Sequence, residues 1–403
     1  MRMVTDRERR ARLARRHGLA PDHRYADVAA ATQAMTAWHA TEAATVHLAL
    51  HARVQDLRVE DVERALYEER SLVKQLAMRR TLFAFPRDLL PAALGSASAR
   101  VAAQEEKNLY KWLTSGGIHE DQDGWIEKAY AATLAALADG EPRTTTQLRE
   151  LVPELDARFR MGTPGKKWGG EFPIGRWVIG TLAAQGRLIR ATNLGHWRLN
   201  KPAWTLLESW LPDAPAPLPA DEGYAEIVRR WLWTFGPGTE ADLVWWLGST
   251  KSAVRTALAA VGAVEVGLEG GGTGWVLPDD PIATSPEPEI EPWAALLPTL
   301  DPTVMGWKER GFYLDAEDVA YLFDSNGNAG NTAWWDGRIV GAWAQDDEGR
   351  VHPIVRHDIG DAGRKALETE AERLTAWLDG VVIVNVYKSR QMKAANFEAG
   401  VLP

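Results

Sequence analysis

Apolar positions along the chain change between helical and extended spacing in an order that recurs at intervals of about 100 residues. The clearest copy lies in the middle of the chain. There, helical periodicity, the capping-box spacing of Thr144 and Gln147, and a stop at Gly186 predict three helices before a hairpin. The predicted elements are helices at 125–137, 144–151 and 173–184 and strands at 188–191 and 196–199. A helix-turn-helix followed by a hairpin is the order of a winged-helix unit.

The same order is predicted on both sides of this copy. The copy after it has a helix at 224–235, a second helix capped at 239–242, a third at 249–258, and hairpin strands at 264–266 and 274–277. The copy before it is more divergent, with helices at 25–35, 43–53 and 59–75 and a strand at 78–85. We therefore expect three tandem winged-helix units.

The last part of the chain changes character. Extended spacing predicts strands at 304–314, 332–335, 338–344, 351–356 and 381–387, with one helix at 361–378. Asp336-Gly337 is a strong hairpin turn signal. The pattern therefore predicts an α+β chain in which three helix-turn-helix units precede a C-terminal β-barrel-like domain. The predicted bounds are 1–118, with a bridging helix, then 119–212, 220–280 and 290–403.

Composition narrows the chemistry. The chain has no cysteine, which excludes disulfides, thiolate metal sites and cysteine nucleophiles. Its net charge of -9 argues mildly against nucleic acid, although the position of charge matters more than the sum. There is no run of about 18 apolar residues and the N-terminus is charged. We expect a cytoplasmic monomer, with no membrane association, no cofactor and no metal, that associates with the nucleoid when bound to DNA.

Basic residues recur at matching places in the copies and are candidates for phosphate contacts. They are Arg79, Arg80, Lys166, Lys167, Arg176, Lys251 and Arg255. A plain solvated charge is the alternative for each. Six arginines between positions 7 and 16 form either a local positive surface or a solvated helix face. Most of the 19 tryptophans are expected in cores, with Trp38 and Trp307 as candidates for stacking on a base.

Three segments carry a resemblance to a known family. They are Leu-Ala-Met-Arg-Arg-Thr-Leu-Phe at 76–83, Phe-Pro-Ile-Gly-Arg-Trp at 172–177, and Leu-Pro-Thr-Leu-Asp-Pro-Thr-Val-Met-Gly-Trp-Lys at 297–308. Together they resemble the AlkZ and YcaQ winged-helix DNA glycosylases, from about residue 20 to about residue 400. The resemblance implies a C-shaped arrangement that holds duplex DNA, with Trp307 and Lys308 as further DNA contacts. It also implies removal of purines alkylated on a ring nitrogen and unhooking of interstrand crosslinks, in some members for self-resistance.

The catalytic signature of that family, Gln-x-Gln or Gln-x-Asp, falls on His39 and Thr41 in this chain, so both polar positions differ. A neutral His39 would orient or deprotonate water, and Thr41 would fix it by hydrogen bonds. A protonated His39 would repel the developing positive charge, so catalysis requires a lowered pKa. The alternatives are a structural His39 and a Thr41 that caps the following helix.

His47 and His51 have the spacing that places two imidazoles on one helix face, but the Glu of the zinc hydrolase motif and a third ligand are missing. The sequence therefore leaves three hypotheses. The first is a monofunctional glycosylase, since no lysine stands at the motif. The second is a DNA-binding lesion sensor or regulator without catalysis, and the third is a protein interaction scaffold.

Overall fold

The computed structural model describes residues 1–162 and 169–395 as a mixed α and β fold. Its first part runs from β1 to α6. The elements are β1 (Met3–Val4), α1 (Asp6–Arg16), α2 (Val28–Met35), β2 (Trp38–His39), α3 (Ala43–His51), α4 (Val59–Glu63), β3 (Leu72–Ala77), β4 (Thr81–Pro86), α5 (Leu90–Ala93) and α6 (Ala99–Ser115). The predicted helix at 59–75 is wrong in its second half. The helical segment ends at Glu68, and the buried apolar residues from Leu72 onward pair with β4.

The second part runs from α7 to α10. The elements are α7 (Gln122–Ala135), β5 (Arg143–Thr144), α8 (Thr145–Leu151), β6 (Arg158–Met161), β7 (Gly170–Pro173), α9 (Gly175–Ala184), β8 (Leu188–Asn193), β9 (Pro202–Leu206) and α10 (Leu207–Trp210). The predicted capping box of Thr144 and Gln147 is present at α8. The strand expected at 196–199 is wrong, because the partner of β8 starts at Pro202. Trp197 packs beside His47 instead, at a ring separation of 4.9 Å.

The remaining elements form the third and last parts. The third part contains α11 (Ala220–Phe235), α12 (Glu240–Leu247), α13 (Lys251–Ala260), β10 (Val264–Leu268) and β11 (Thr273–Val276). The last part contains β12 (Ala294–Leu297), α14 (Val319–Leu322), β13 (Thr332–Trp335), β14 (Arg338–Gln345), β15 (Val351–Val355), α15 (Gly360–Leu378) and α16 (Arg390–Ala394). No helix in the described part of the chain combines the length and apolar character that a membrane span needs.

The first three parts share one strand order. In the sheets β2-β4-β3 and β5-β9-β8, a short strand between the helices pairs with the last strand of the hairpin. In the third part, Gly238 makes the equivalent bridge to Trp275 of β11, and β1 adds to the other edge beside β10. This recurrence agrees with the repeated unit predicted from the sequence, while the number of winged-helix units and their bounds stay predictions.

The last part departs from a barrel. Its strands form an open sheet in the order β12-β13-β14-β15, and α15 packs against β12 and β15. Leu367 and Leu374 of α15 are buried with Leu296 and Trp343 of the sheet. Because a helix covers one face and four strands are about half the number that closes a small barrel, the sheet stays open. Over the described residues, the expected strands at 304–314 and 381–387 are absent.

Two large cores organise the chain. One contains side chains of the first, third and last parts, including Phe83, Trp231 and Trp334. The second part has a separate core around Leu148, Trp177 and Leu182. The hairpin of β3 and β4 therefore joins a core that is built from distant parts of the sequence.

Candidate functional site

His39 lies on β2, opposite Phe83 of β4, and its side chain points into the protein. The residue is 2% exposed, and its ring lies 4.4 Å from the ring of Phe83. Neither Nδ1 nor Nε2 has a hydrogen-bond partner among the described residues. Burial, followed by the positive charge of Arg79, lowers the pKa of His39 to about 3. The imidazole is therefore neutral near pH 7, as the catalytic hypothesis requires.

Thr41 follows β2 and carries the third buried polar atom without a partner. Its Oγ1 makes no hydrogen bond to any described residue. The N-cap of α3 is Glu42, and no side-chain cap is present, so the helix-capping role considered for Thr41 is wrong. A buried donor left unpaired costs about 1–3 kcal/mol, which makes three such atoms at one motif an observation that needs a functional explanation.

Arg79 stands beside this motif at the tip of the β3–β4 hairpin. Arg79 and the following Arg80 both have a left-handed backbone, with φ of 53° and 59°. Such a conformation costs an arginine about 1–2 kcal/mol, so this backbone lowers the stability of the hairpin tip. Strained backbone of this kind is often retained where it orients functional side chains. The guanidinium of Arg79 lies 4.0 Å from the ring of Trp245, and its Nε has no partner in the described part.

Arg310 approaches the same indole from the last part of the chain. Its guanidinium lies 5.0 Å from the Trp245 ring, and its Nη2 also lacks a partner among the residues described. Burial and then the charge of Arg310 lower the pKa of Arg79 to about 10, so Arg79 stays charged at neutral pH. The site therefore combines a neutral imidazole and a hydroxyl with positive potential.

Arg79 also lines a basic cleft of about 450 Å³, which we call the α6 cleft. Its cationic lining residues are Arg79, Arg80, Arg100 and Lys107, and Gly248 closes one side. Arg80 makes two contacts of 2.8 and 2.7 Å to the buried carboxylate of Glu105. Arg100 and Lys107 are exposed and make no ion pair among the described residues. The structure therefore places a cleft with cationic lining on Arg79, the residue whose charge acts on His39.

Arg176 extends this positive region. It is exposed, stacks 4.0 Å from the ring of Trp177, and has a pKa lowered by burial and by Arg80. Arg79, Arg80 and Arg176 are thus brought near one another. Arg100 and Lys107 were missed by the sequence argument, although their separation of seven positions on α6 places them on one helix face.

The other candidate contacts lie elsewhere. Arg255 is engaged by Glu240 through contacts of 2.6 and 3.2 Å, while Lys251 is exposed at the start of α13. The Lys308 side chain is exposed, and its backbone N–H donates to Asp242. Trp307 is 2% exposed and its Nε1 donates to the Phe235 carbonyl, so its proposed DNA contact is corrected to core packing. Lys166 and Lys167 lie outside the described residues, and Trp38 is fully buried in the core.

The two histidines of α3 are engaged separately. His47 Nε2 lies 2.9 Å from Glu63, and His51 Nε2 lies 2.9 Å from Arg373. Another group that has metal-ligand spacing consists of Asp315, Asp318 and His357. Its carboxylates are paired with Arg338 and Arg356, which already supply the positive charge that a metal would bring. Neither group therefore supports a metal site.

Comparisons with known proteins add the family. The sequence model described as "DNA glycosylase AlkZ-like" matches residues 32–377. No match was found among curated proteins. Among solved structures, the chain is similar to Streptomyces sahachiroi DNA glycosylase AlkZ, with a TM-score of 0.72 and 22% identity. That match covers 95% of this chain and 99% of the other, so the similarity of fold extends over both proteins.

Proposed function

Because the chain belongs to the AlkZ-like DNA glycosylase family, we propose that it binds duplex DNA and hydrolyses the N-glycosidic bond of bulky alkylated purines or of their crosslinks. One observation supports a working site: His39 and Thr41 carry three unpartnered polar atoms, and His39 feels the charge of Arg79, which also lines the α6 cleft. Buried polar atoms without hydrogen-bond partners lower the stability of a protein, and such groups are typical of functional sites. We further propose that the three repeated parts are winged-helix units in a C-shaped clamp.

In the proposed reaction, the bond between C1′ of the sugar and the purine nitrogen breaks, and its electron pair leaves with the base. Alkylation has made the base cationic, so it departs as a neutral purine. Water attacks C1′, and neutral His39 orients that water by accepting a hydrogen bond from it, while the proton that the water loses passes to solvent. Thr41 would hold the water by a hydrogen bond through Oγ1. The products are the free base and an abasic site, with no covalent enzyme intermediate.

A specific feature favours a second candidate, a DNA-binding lesion sensor or regulator without catalysis. Arg79 places a positive charge near His39, where an oxocarbenium-like sugar would develop positive charge, and Arg310 adds a second positive charge near Arg79. Like charges at short range raise the energy of that transition state. A phosphate next to the lesion would offset part of this repulsion if it binds Arg79. The two candidates therefore differ in whether bound DNA supplies that phosphate at the reacting sugar.

The experiment incubates the wild-type chain with a duplex that carries one purine alkylated on a ring nitrogen. Release of base is followed by chromatography, and the abasic site is detected by strand cleavage in alkali. We expect release by the wild type and a loss of about 100-fold in His39→Ala, because the attacking water loses the group that orients it. A double variant, His39→Gln with Thr41→Asp, restores the family signature and is expected to release base.

The outcomes separate the two candidates. Full activity of His39→Ala would overturn the role of His39. Salt-dependent duplex binding with no release by the wild type, together with release by the restored double variant, would establish the sensor instead. Loss of duplex binding at low salt would favour the protein scaffold.

A further inference from the structure

Residues 381–387 follow α15 and lie against the motif region, and we call this segment the strap. The strap is not paired with any strand of the described chain, although its sequence has the alternation of one. Ile383 is 7% exposed, whereas Val384 and Val386 are 73% and 77% exposed. The inward side therefore joins the protein, and the outward side presents two branched apolar side chains to solvent.

Side-chain hydrogen bonds hold the first half of the strap. Gln345 Nε2 donates to the Val381 carbonyl at 3.0 Å, and Ile383 N–H donates to Gln345 Oε1 at 2.9 Å. Arg198 also donates to the carbonyl of Val382. These contacts replace the hydrogen bonds that a neighbouring strand would have made, so the backbone here is fixed without a sheet.

The second half is tied to Glu42, the residue after Thr41. Glu42 Oε1 accepts hydrogen bonds from the backbone N–H groups of Val386 and Tyr387, at 2.7 and 2.9 Å. The Asn385 amide donates to Glu42 Oε2 at 3.3 Å and to Thr299 Oγ1 at 3.0 Å. Glu42 is 8% exposed, so a buried carboxylate joins the exposed valines to the catalytic motif. The position of the valines relative to the motif is therefore fixed.

Cations follow the two valines directly. Lys388, Arg390 and Lys393 are exposed, and no acidic partner of Lys388 is present among the described residues. Apolar side chains that protrude beside exposed cations match duplex DNA, where the base stack is apolar and lies between two rows of phosphates. A protein partner would need an acidic rim around an apolar pocket, and nothing in the described chain selects one.

We propose that Val384 and Val386 are a wedge that enters the base stack of duplex DNA next to the lesion, while Lys388 contacts a phosphate. The proposal rests on the duplex binding proposed above. By unstacking one base step, the wedge would lower the cost of turning the damaged nucleotide toward the His39 motif. The fixed strap supports this role, since its ordering is complete before DNA binds.

The test uses the full chain and a duplex with an abasic-site analogue flanked by 2-aminopurine, whose fluorescence rises when it is unstacked. We expect the wild type to raise the fluorescence several-fold at saturation. The double variant Val384→Ser with Val386→Ser is expected to bind with the same salt dependence and to lose most of that rise. The double variant with leucine at both positions should keep it. Val319→Ser, at an exposed valine 41% accessible on α14, is the matched control.

Equal fluorescence for the serine variant and the wild type at saturation would overturn the wedge, as would bound wild type without any rise. A wild-type dimer that the serine variant converts to monomer, by light scattering, would instead assign the surface to a second copy. An unchanged thermal midpoint shows that each variant is folded. Base release is measured separately, so a chain that unstacks DNA through the valines but releases no base refutes catalysis and retains the wedge.

Discussion

Two basic regions of the molecule have opposite surroundings. On α1, Arg12 is 3% exposed and contacts Asp280 at 2.6 Å and Glu287 at 3.2 Å, while Arg16 reaches the same Asp280 at 3.0 Å. In the α6 cleft, Arg100 and Lys107 have no ion pair among the described residues. The first region uses its charges to join distant parts of the chain. The second leaves them available for an external anion.

The same difference extends to polar groups near the two regions. Every guanidinium from Arg12 to Arg16 on α1 has an acidic or carbonyl acceptor within the protein. His39 and Thr41, which lie near Arg79 of the α6 cleft, have polar atoms that no described residue satisfies. Saturated polar groups indicate a structural role, and unsatisfied ones indicate a role that an external ligand completes. The density of arginine in the sequence does not distinguish a structural role from a ligand-binding role.

The largest effect on stability is expected from removing an ion pair of the α1 region. The side chain of Asp280 is fully buried, and Arg12→Ala leaves it with Arg16 as its only cationic partner among the described residues. We therefore expect the free energy of unfolding to fall by about 3–5 kcal/mol. Urea unfolding followed by tryptophan fluorescence measures it. Arg7→Ala is the matched control, because Arg7 and its partner Glu289 are 72% and 79% exposed and contribute little. A loss below about 1 kcal/mol in Arg12→Ala would contradict a structural role for the cluster.

Much of the fold could be predicted from the sequence because it depends on local signals. The capping boxes at Thr144 and Thr239 and the stop at Gly186 fix helices of the repeated parts within a few residues. The open sheet could not be predicted, because 381–387 alternates like a strand and its tie to Glu42 involves a residue more than 300 positions away. Long-range pairing of this kind leaves no local pattern.

Only part of the candidate site could be predicted, because some of its residues come from distant parts of the chain. Family spacing places the motif at His39 and Thr41, but periodicity could not show that Trp245 and Arg310 approach Arg79 from two other parts of the chain. The arginines of α1 illustrate the converse case. Their acidic partners lie near position 280, far away in the sequence, so the sequence alone is compatible with a positive surface on α1. In the structure these charges are paired.

An intermediate effect concerns the proton affinity of the motif. The folded-state pKa of His39 is about 3 and its ordinary value is 6.5, so the unfolded chain binds the additional proton between these values. This contribution to stability is complete above pH 6.5 and is lost as the pH falls toward 3. We expect the wild type to lose about 2 kcal/mol more than His39→Leu between pH 7 and pH 5, measured by urea unfolding.

Two controls accompany this measurement. His23→Ala removes an exposed histidine and should leave the pH dependence of the wild type unchanged. The other buried histidines, including His17 and His51, have pKa values lowered in the same direction and are present in both chains, so they cancel in the difference. If wild type and His39→Leu lose stability in parallel, folding does not lower the pKa of His39, and the buried imidazole without a hydrogen-bond partner is wrong.

The smallest expected effect on stability tests the other side of the comparison. Arg100→Ala with Lys107→Ala removes two exposed charges of the α6 cleft, and the free energy of unfolding should change by less than about 0.5 kcal/mol. If each residue contacts one phosphate, the slope of log affinity against log salt falls by about 0.9 for each, or nearly 2 together. Between 50 and 200 mM salt, the variant should therefore lose about tenfold less duplex affinity than the wild type. Fluorescence anisotropy of a labelled duplex measures both slopes, with Arg7→Ala as the exposed arginine that should keep the wild-type slope. A slope that changes in Arg7→Ala but not in the cleft variant would place the DNA on α1, and would reverse the distinction between the two basic regions.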